Sequence, residues 1–204
     1  MVRSREPYVL AFSALAAGLA EGRYGWGRPL VVTEIAAALH LSPTPVREAL
    51  ARLAGEGLID HRPGYGYASL AFTGADLADL YGLHELHLLE AAGRSAFNAL
   101  PKALGEDDVR AIEGFFRALV LRTGSRALDR AHRRLMAQLG PALRVEAQVL
   151  GPDSNGLRRQ RACYDAQDRV GLIEEIQRWH ERRKQSSRAV VEAMRAADQS
   201  IFQI

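Results

Sequence analysis

Hydrophobic positions between Val31 and Leu70 recur in two rhythms, first at helical spacing and then at the alternation of a short strand pair. Ile35, Ala36 and Leu39 fall on one helical stripe, and the Thr33 hydroxyl is placed to cap the helix that carries them. His40 and Leu41 form a turn. Ser42 offers the next N-cap, and Pro43 and Pro45 fall in the first turn of the following helix, where backbone N–H groups have no intrahelical acceptor and proline costs least. At about 100° per residue, Val46, Leu50 and Leu53 share a narrow sector while Thr44, Arg47, Glu48 and Ala51 lie opposite. Gly55 and Gly57 permit a left-handed cap that closes this helix. Leu58 and Ile59 open an extended segment, Pro63 and Gly64 supply a turn, and Tyr67, Ser69 and Leu70 continue the return strand. Arg62 and Tyr65 are then left at the tip.

On either side of this stretch the pattern is helical only. Tyr8 to Glu21 places Val9, Phe12, Leu15, Ala16 and Leu19 on a common face, and Gly22, Gly25, Gly27 and Pro29 break it. Phe72 to Asp76 reads as a hinge followed by a capped start, with Thr73 at the N-cap and Asp76 three residues on. A long helix follows through Leu77, Leu80, Tyr81, Leu83, His84, Leu88 and Ala91. Further helices are predicted from about Glu106 to Arg122, from a Ser125 cap through Leu139 with Gly140-Pro141 ending it, over Ala142 to Leu150, from Leu157 to Asp165, and from Val170 to Ala197. Gly151 to Gly156 is a loop. No alternating strand pattern appears after Leu70. The chain is predicted to be mainly α: a winged helix-turn-helix of three helices and a two-stranded wing over residues 1–72, then an all-helical domain over residues 73–204.

The helix headed by Ser42 presents a small, polar outward face with one arginine. Such a face allows close approach to a major groove, where Arg47 reaches a guanine edge or a phosphate. Bulk charge lends this no support. The whole chain carries only +3, and residues 1–75 hold seven arginines against six acids, so attraction to phosphate rests on local placement and on doubling in a dimer. The single cysteine, Cys163, rules out an intramolecular disulfide and suits a reducing cytosol. In a helical stretch it reads as a small hydrophobe. No apolar run reaches the length of a membrane span, and Glu21 interrupts the N-terminal stretch too early for an export signal.

The run LSPTPVREALARLAGEGLIDHRPGYG resembles the winged-helix signature of the GntR superfamily of bacterial transcription regulators. Ser42, Thr44, Pro45, Val46, Arg47, Glu48, Ala49, Leu50, Leu53, Glu56, Gly57, Leu58, Gly64 and Gly66 match it. The resemblance implies DNA contacts from Ser42, Thr44 and Arg47 at the head of the recognition helix and from Gly64 and Tyr65 at the wing tip. With Thr33, Pro45 and Arg62 these complete the residues expected at DNA. Many relatives carry arginine where this chain has Tyr65, a departure that removes a phosphate contact unless Arg62 replaces it.

The helical half resembles, more loosely, the FCD-type effector domain of the FadR-like branch, through LADLYGLHELHLLEAAGRSAF, LDRAHRRLMAQL and VVEAMRAADQ. Many such domains hold a divalent metal with one Asp and three His. Here Asp129 and His132 stand three apart where the group has four, and Ser187 stands where a histidine belongs, so no metal and no cofactor are expected. His84, His132 and His180 are what an atypical site would have to use. Without a metal, an anionic effector needs arginine. Arg94, Arg117, Arg134 and Arg161, with His132, Tyr164, Trp179 and His180, are the candidates, the effector being an organic acid or aromatic metabolite. The basic runs from Arg158 to Arg161 and in QRWHERRK read as solvated faces. A paired carboxylate and histidine at productive spacing and a phosphate-cradling glycine loop are both lacking, so a metal-dependent helical enzyme is the weaker alternative. A regulator whose helical half only dimerises is another. The leading expectation is a cytoplasmic, homodimeric, ligand-responsive repressor of a palindromic operator, with no enzymatic activity and no membrane partner.

Overall fold

Helix boundaries in the N-terminal unit arise from local chemistry. The computed structural model describes residues 5–94, 97, 109–151 and 155–201. Contacts divide the chain into two units, Met1–Ala71 with Met194–Ile204, and Phe72–Ala193. The first unit holds α1 (Arg5–Ala20), β1 (Pro29–Leu30), α2 (Val32–Ala38), α3 (Pro43–Gly55), β2 (Ile59–Arg62) and β3 (Gly66–Ser69). α2 ends on His40, whose φ of 54° is left-handed, while Leu41 N–H donates to the Ala36 carbonyl at 2.9 Å. α3 ends the same way on Gly57, with φ of 68° and Leu58 N–H donating to Leu53 at 2.9 Å. Both are Schellman closures. They stop each helix sharply and set the angle at which the chain leaves it.

The core of this unit is Ala11, Leu15, Ile35, Ala36, Val46, Ala49, Leu50 and Leu53, closed by Leu30 and Ile59. The α3 stripe is therefore buried as its spacing predicts. Val9 is not on the buried face of α1: it is 54% exposed, and Ala11 takes the inward place beside Leu15. The wing also differs from expectation. It is a three-stranded antiparallel sheet in the order β1-β3-β2, because Pro29 and Leu30 pair with Ala68 and Tyr67 on the edge the hairpin leaves open. Two residues are too few for alternation to reveal a strand. Buried Ser69 fixes the pairing, its Oγ accepting from Arg28 N–H at 2.9 Å.

The second unit holds α4 (Gly74–Arg94), α5 (Val109–Arg122), α6 (Arg126–Leu150), α7 (Gly156–Asp165) and α8 (Arg169–Ile201), whose last residues, from Met194, group with the first unit. The Thr73–Asp76 box forms as predicted: Thr73 N–H donates to Asp76 Oδ2 at 2.7 Å and Asp76 N–H to Thr73 Oγ1 at 3.2 Å. Ser125 Oγ accepts from Leu128 N–H at 3.2 Å and caps α6. Gly140-Pro141 does not end that helix, which runs on to Leu150 with Pro141 inside it. A proline costs one hydrogen bond there, and buried Leu139, Ala142 and Leu143 on either side hold the helix together through it. The predicted start at Glu106 and residues 152–154 of the loop from Gly151 to Gly156 lie outside the described residues. Leu88, Phe115, Phe116, Leu119, Leu172 and Ile176 centre the core. No described helix is long and apolar enough to cross a membrane.

Candidate functional site

Thr44, Arg47, Glu48 and Ala51 are all exposed on α3, opposite the fully buried Val46, Leu50 and Leu53. Two arginines on this helix differ in what they do. Arg52 is engaged, its Nε donating to Glu56 at 2.9 Å and its guanidinium lying 5.1 Å from the Phe12 ring centre. Arg47 has no hydrogen-bond or ion-pair partner among the described residues. Ser42 occupies the N-cap position with extended backbone, φ −73° and ψ 158°, yet its hydroxyl does not bond to the helix, contrary to the expected cap. The proline at the head of α3 removes one orphan donor, and the hydroxyl is left facing outward. Thr33 is not a cap either. It lies inside α2, whose N-cap is Val31, and is exposed. Pro45 is half-buried behind Thr44.

The wing tip is built by Pro63 and Gly64, with Tyr65 N–H donating to the Arg62 carbonyl at 2.9 Å. Proline followed by a glycine at φ of 81° is the pattern of a type II turn. His61 and Tyr67 are opposite each other in the ladder, with ring centres 4.8 Å apart, and stiffen the base of the hairpin. Arg62 lies 4.0 Å from Asp60, and Tyr65 is 90% exposed.

The candidate effector residues divide. Arg94 is exposed and paired with Glu90 at 3.1 Å, Arg117 and Arg134 are exposed, and Arg161 is within 4.0 Å of Asp165. Tyr164 is buried against Phe97 and Phe115. His132, Trp179 and His180 do come together, in a buried cluster completed by His84, His87 and Phe116. QRWHERRK is therefore not simply a solvated face, since Trp179, His180 and Arg183 are buried. Helical spacing sets these three on the stripe that carries Ile176, Ser187 and Val190.

Hydrogen-bond logic fixes the tautomers. His180 Nδ1 sits 2.7 Å from the Ile176 carbonyl and must donate, so its Nε2 accepts from His84 Nδ1 at 2.9 Å. His84 Nε2 is thereby left as a bare acceptor, buried without a partner; His87 Nδ1, His132 Nδ1 and Asp129 Oδ1 are also buried without a partner. No three His, Cys, Asp or Glu side chains among the described residues converge on a point that could hold a metal ion, and buried Ser187 occupies the position the resemblance assigns to a histidine. The residues thus do not fit the FCD-type metal. A hollow lined by Glu6, Val9, Leu10, Ser13 and Ala14 lies on α1 and shares no residue with the cluster.

Burial is the first cause of lowered histidine pKa values throughout the cluster. It brings His132 down to about 4, with His87 and Arg117 adding to the effect and Asp129 opposing it, and His180 down to about 3. His84 and His87 are lowered too. The unfolded chain takes up these protons near 6.5 and the folded chain does not. Stability is therefore full above pH 6.5, is lost as the pH falls below it, and goes on falling as His132 protonates in place near pH 4 and His180 near pH 3. Each histidine contributes at most about 1.4 kcal/mol per pH unit in that window. Urea unfolding measured across the window checks this, a flat profile down to about pH 5 being the contrary result.

Beside the cluster is a second buried group, none of whose members stood out in the sequence. Glu146 on α6 accepts from Tyr81 on α4 and from Arg183 Nε on α8 at 2.9 Å. Arg183 also donates to the Trp179 carbonyl at 3.2 Å and covers the Trp179 ring. Both ions are almost fully enclosed, at 8% and 3% side-chain exposure. Burial, then the Glu146 charge, push the Tyr81 hydroxyl pKa far up, so it stays protonated and donates.

A three-helix core with an exposed, small-residue helix beside a stiff hairpin defines a winged helix-turn-helix, a class built to lay one helix in a DNA groove. Residues 7–68 match the sequence model of the family "Bacterial regulatory proteins, gntR family", and the N-terminal domain of this chain is a GntR-family helix-turn-helix domain. Residues 7–68 thus carry the DNA-binding helix-turn-helix of that family. A protein described as a GntR transcriptional regulator from Rhodococcus sp. RHA1 shares the fold at TM-score 0.76 and 18% identity, over 88% of this chain and 96% of that one. E. coli McbR/YncC shares it at TM-score 0.63 and 20% identity, over 94% and 98%. No curated protein sequence matches the chain significantly.

Proposed function

We propose that the protein is a cytoplasmic, homodimeric repressor that binds a palindromic operator and releases it when a small molecule, an organic acid or aromatic metabolite, enters the helical domain. The observation that carries the DNA half is Arg47, exposed on α3 and without a hydrogen-bond or ion-pair partner among the described residues. Two-fold symmetry supplies the palindrome: two recognition helices roughly 34 Å apart match half-sites separated by about one turn of duplex. Ser42, Thr44, Pro45, Thr33 and the wing residues Arg62, Gly64 and Tyr65 frame that contact. The effector half is supported by the buried cluster of His84, His132, Trp179 and His180, whose unpartnered nitrogens are costly unless something bonds to them. Of the candidate arginines, Arg117 stands nearest in effect, since it opposes protonation of His132.

A thermal-shift screen with organic acids and aromatic metabolites, followed by operator release, tests this. At least one compound is expected to raise the melting temperature and dissociate the complex. A null screen together with ordered water on every cluster nitrogen in a crystal structure would leave a regulator whose helical domain only dimerises.

A further inference from the structure

We infer that Tyr65 reads the operator flanks as an uncharged aromatic wedge in the minor groove, so that the wing tip selects deformable base steps and Tyr65 itself adds nothing to the salt dependence of binding. This rests on the DNA-binding reading above.

The tip Pro63-Gly64-Tyr65-Gly66 carries no charge, and the cation behind it, Arg62, has Asp60 within 4.0 Å. From Asp60 to Gly66 the formal charge is one acid against one arginine, which cancel with His61 neutral. Tyr65 is the most exposed of the large apolar side chains among the described residues, at 90%, and its backbone is pinned to Arg62 by the turn hydrogen bond. Gly64 and Gly66 flank it at positive φ, so the ring stands clear of neighbouring side chains. The ring that the hairpin offers to solvent carries no charge to be drawn by the negative potential of a narrow A-tract groove, as an arginine does. It contributes by apolar contact with sugars and partial insertion at pyrimidine–purine steps, which unstack at least cost.

The test is selection from a pool of duplexes with a randomised core of about three helical turns, followed by titration at several salt concentrations. Wild type, Tyr65→Ala, Tyr65→Phe and Tyr65→Arg are compared, with Arg47→Ala as the control for the recognition helix. Wild type and Tyr65→Phe are expected to enrich the same flanks, containing TA or CA steps. Tyr65→Ala should bind about thirtyfold more weakly with an unchanged salt slope, since each chain of the dimer loses an aromatic–base contact at the lower end of its range of about 1–3 kcal/mol. Tyr65→Arg should steepen the slope by about one per half-site and move the flanks toward A-tracts. A wild type that enriches a site equally well bound by Tyr65→Ala overturns the wing assignment alone. A changed salt slope in Tyr65→Ala does the same. A wild type that enriches no site overturns the DNA-binding reading and the wing with it.

Discussion

Arg47→Ala is expected to weaken binding to a cognate duplex by about a hundredfold, since each chain of the proposed dimer loses an arginine contact worth about 1–3 kcal/mol. Helix content, melting temperature and dimerisation should not change, because the exposed side chain holds no hydrogen bond or ion pair among the described residues. Arg52→Ala is the informative comparison. It removes a charge from the same helix, but one held by Glu56 and Phe12, so its effect falls on the packing of α1 against α3 and less on DNA. Fluorescence anisotropy with one labelled duplex, beside thermal unfolding, separates the two. Equal affinity for wild type and Arg47→Ala would remove the guanidinium from the interface.

Arg183→Met is expected to be the most destabilising single change in the helical domain, at about 3–5 kcal/mol, because it strands Glu146 as an unpaired charge. The buried Tyr81 hydroxyl remains to donate to Glu146, and Trp179 loses the guanidinium that covers it. Removing the charge partner as well should recover much of the loss: Glu146→Leu combined with Arg183→Met replaces an ion pair by apolar volume, which proteins often tolerate at little net cost. Urea unfolding of the two single variants and the double variant gives the coupling. If Arg183→Met and the double variant are equally unstable, the pair does not act as a unit.

Legibility in the sequence tracks the range of the forces involved. α3 is readable because proline, serine, a helical stripe and a closing glycine all act within its own residues, and Gly57 closes it as expected. The Thr73–Asp76 box and the Ser125 cap are readable for the same reason. β1 is not, since its two residues gain strand geometry only from β3, which is 37 or more residues away in sequence. Pro141 is misleading. A local rule says the helix stops, and the buried residues around it carry it on.

The helical site shows the same division. His84, His132 and His180 are identifiable in the sequence as possible ligands and Trp179 as a wall, but that they meet in one buried cluster depends on how α4, α6 and α8 pack, which no spacing within one helix reveals. The exposed arginines expected at an anionic effector are distinguished in the sequence by charge alone. The buried one, Arg183, hides in a run that looks solvated. Its spacing from Ile176, Trp179 and His180 is the available signal: a cation on a stripe that is otherwise core requires a buried counter-charge, and Glu146 stands on the corresponding stripe of α6 with Leu139 and Leu143.

Methylation protection on the selected duplex, which reports guanine N7 in the major groove and adenine N3 in the minor groove, tests the recognition helix most directly. The outward face of α3 predicts two patches of N7 protection about one helical turn apart, both missing in Arg47→Ala. Full N7 reactivity in a complex formed by the wild-type protein would contradict it.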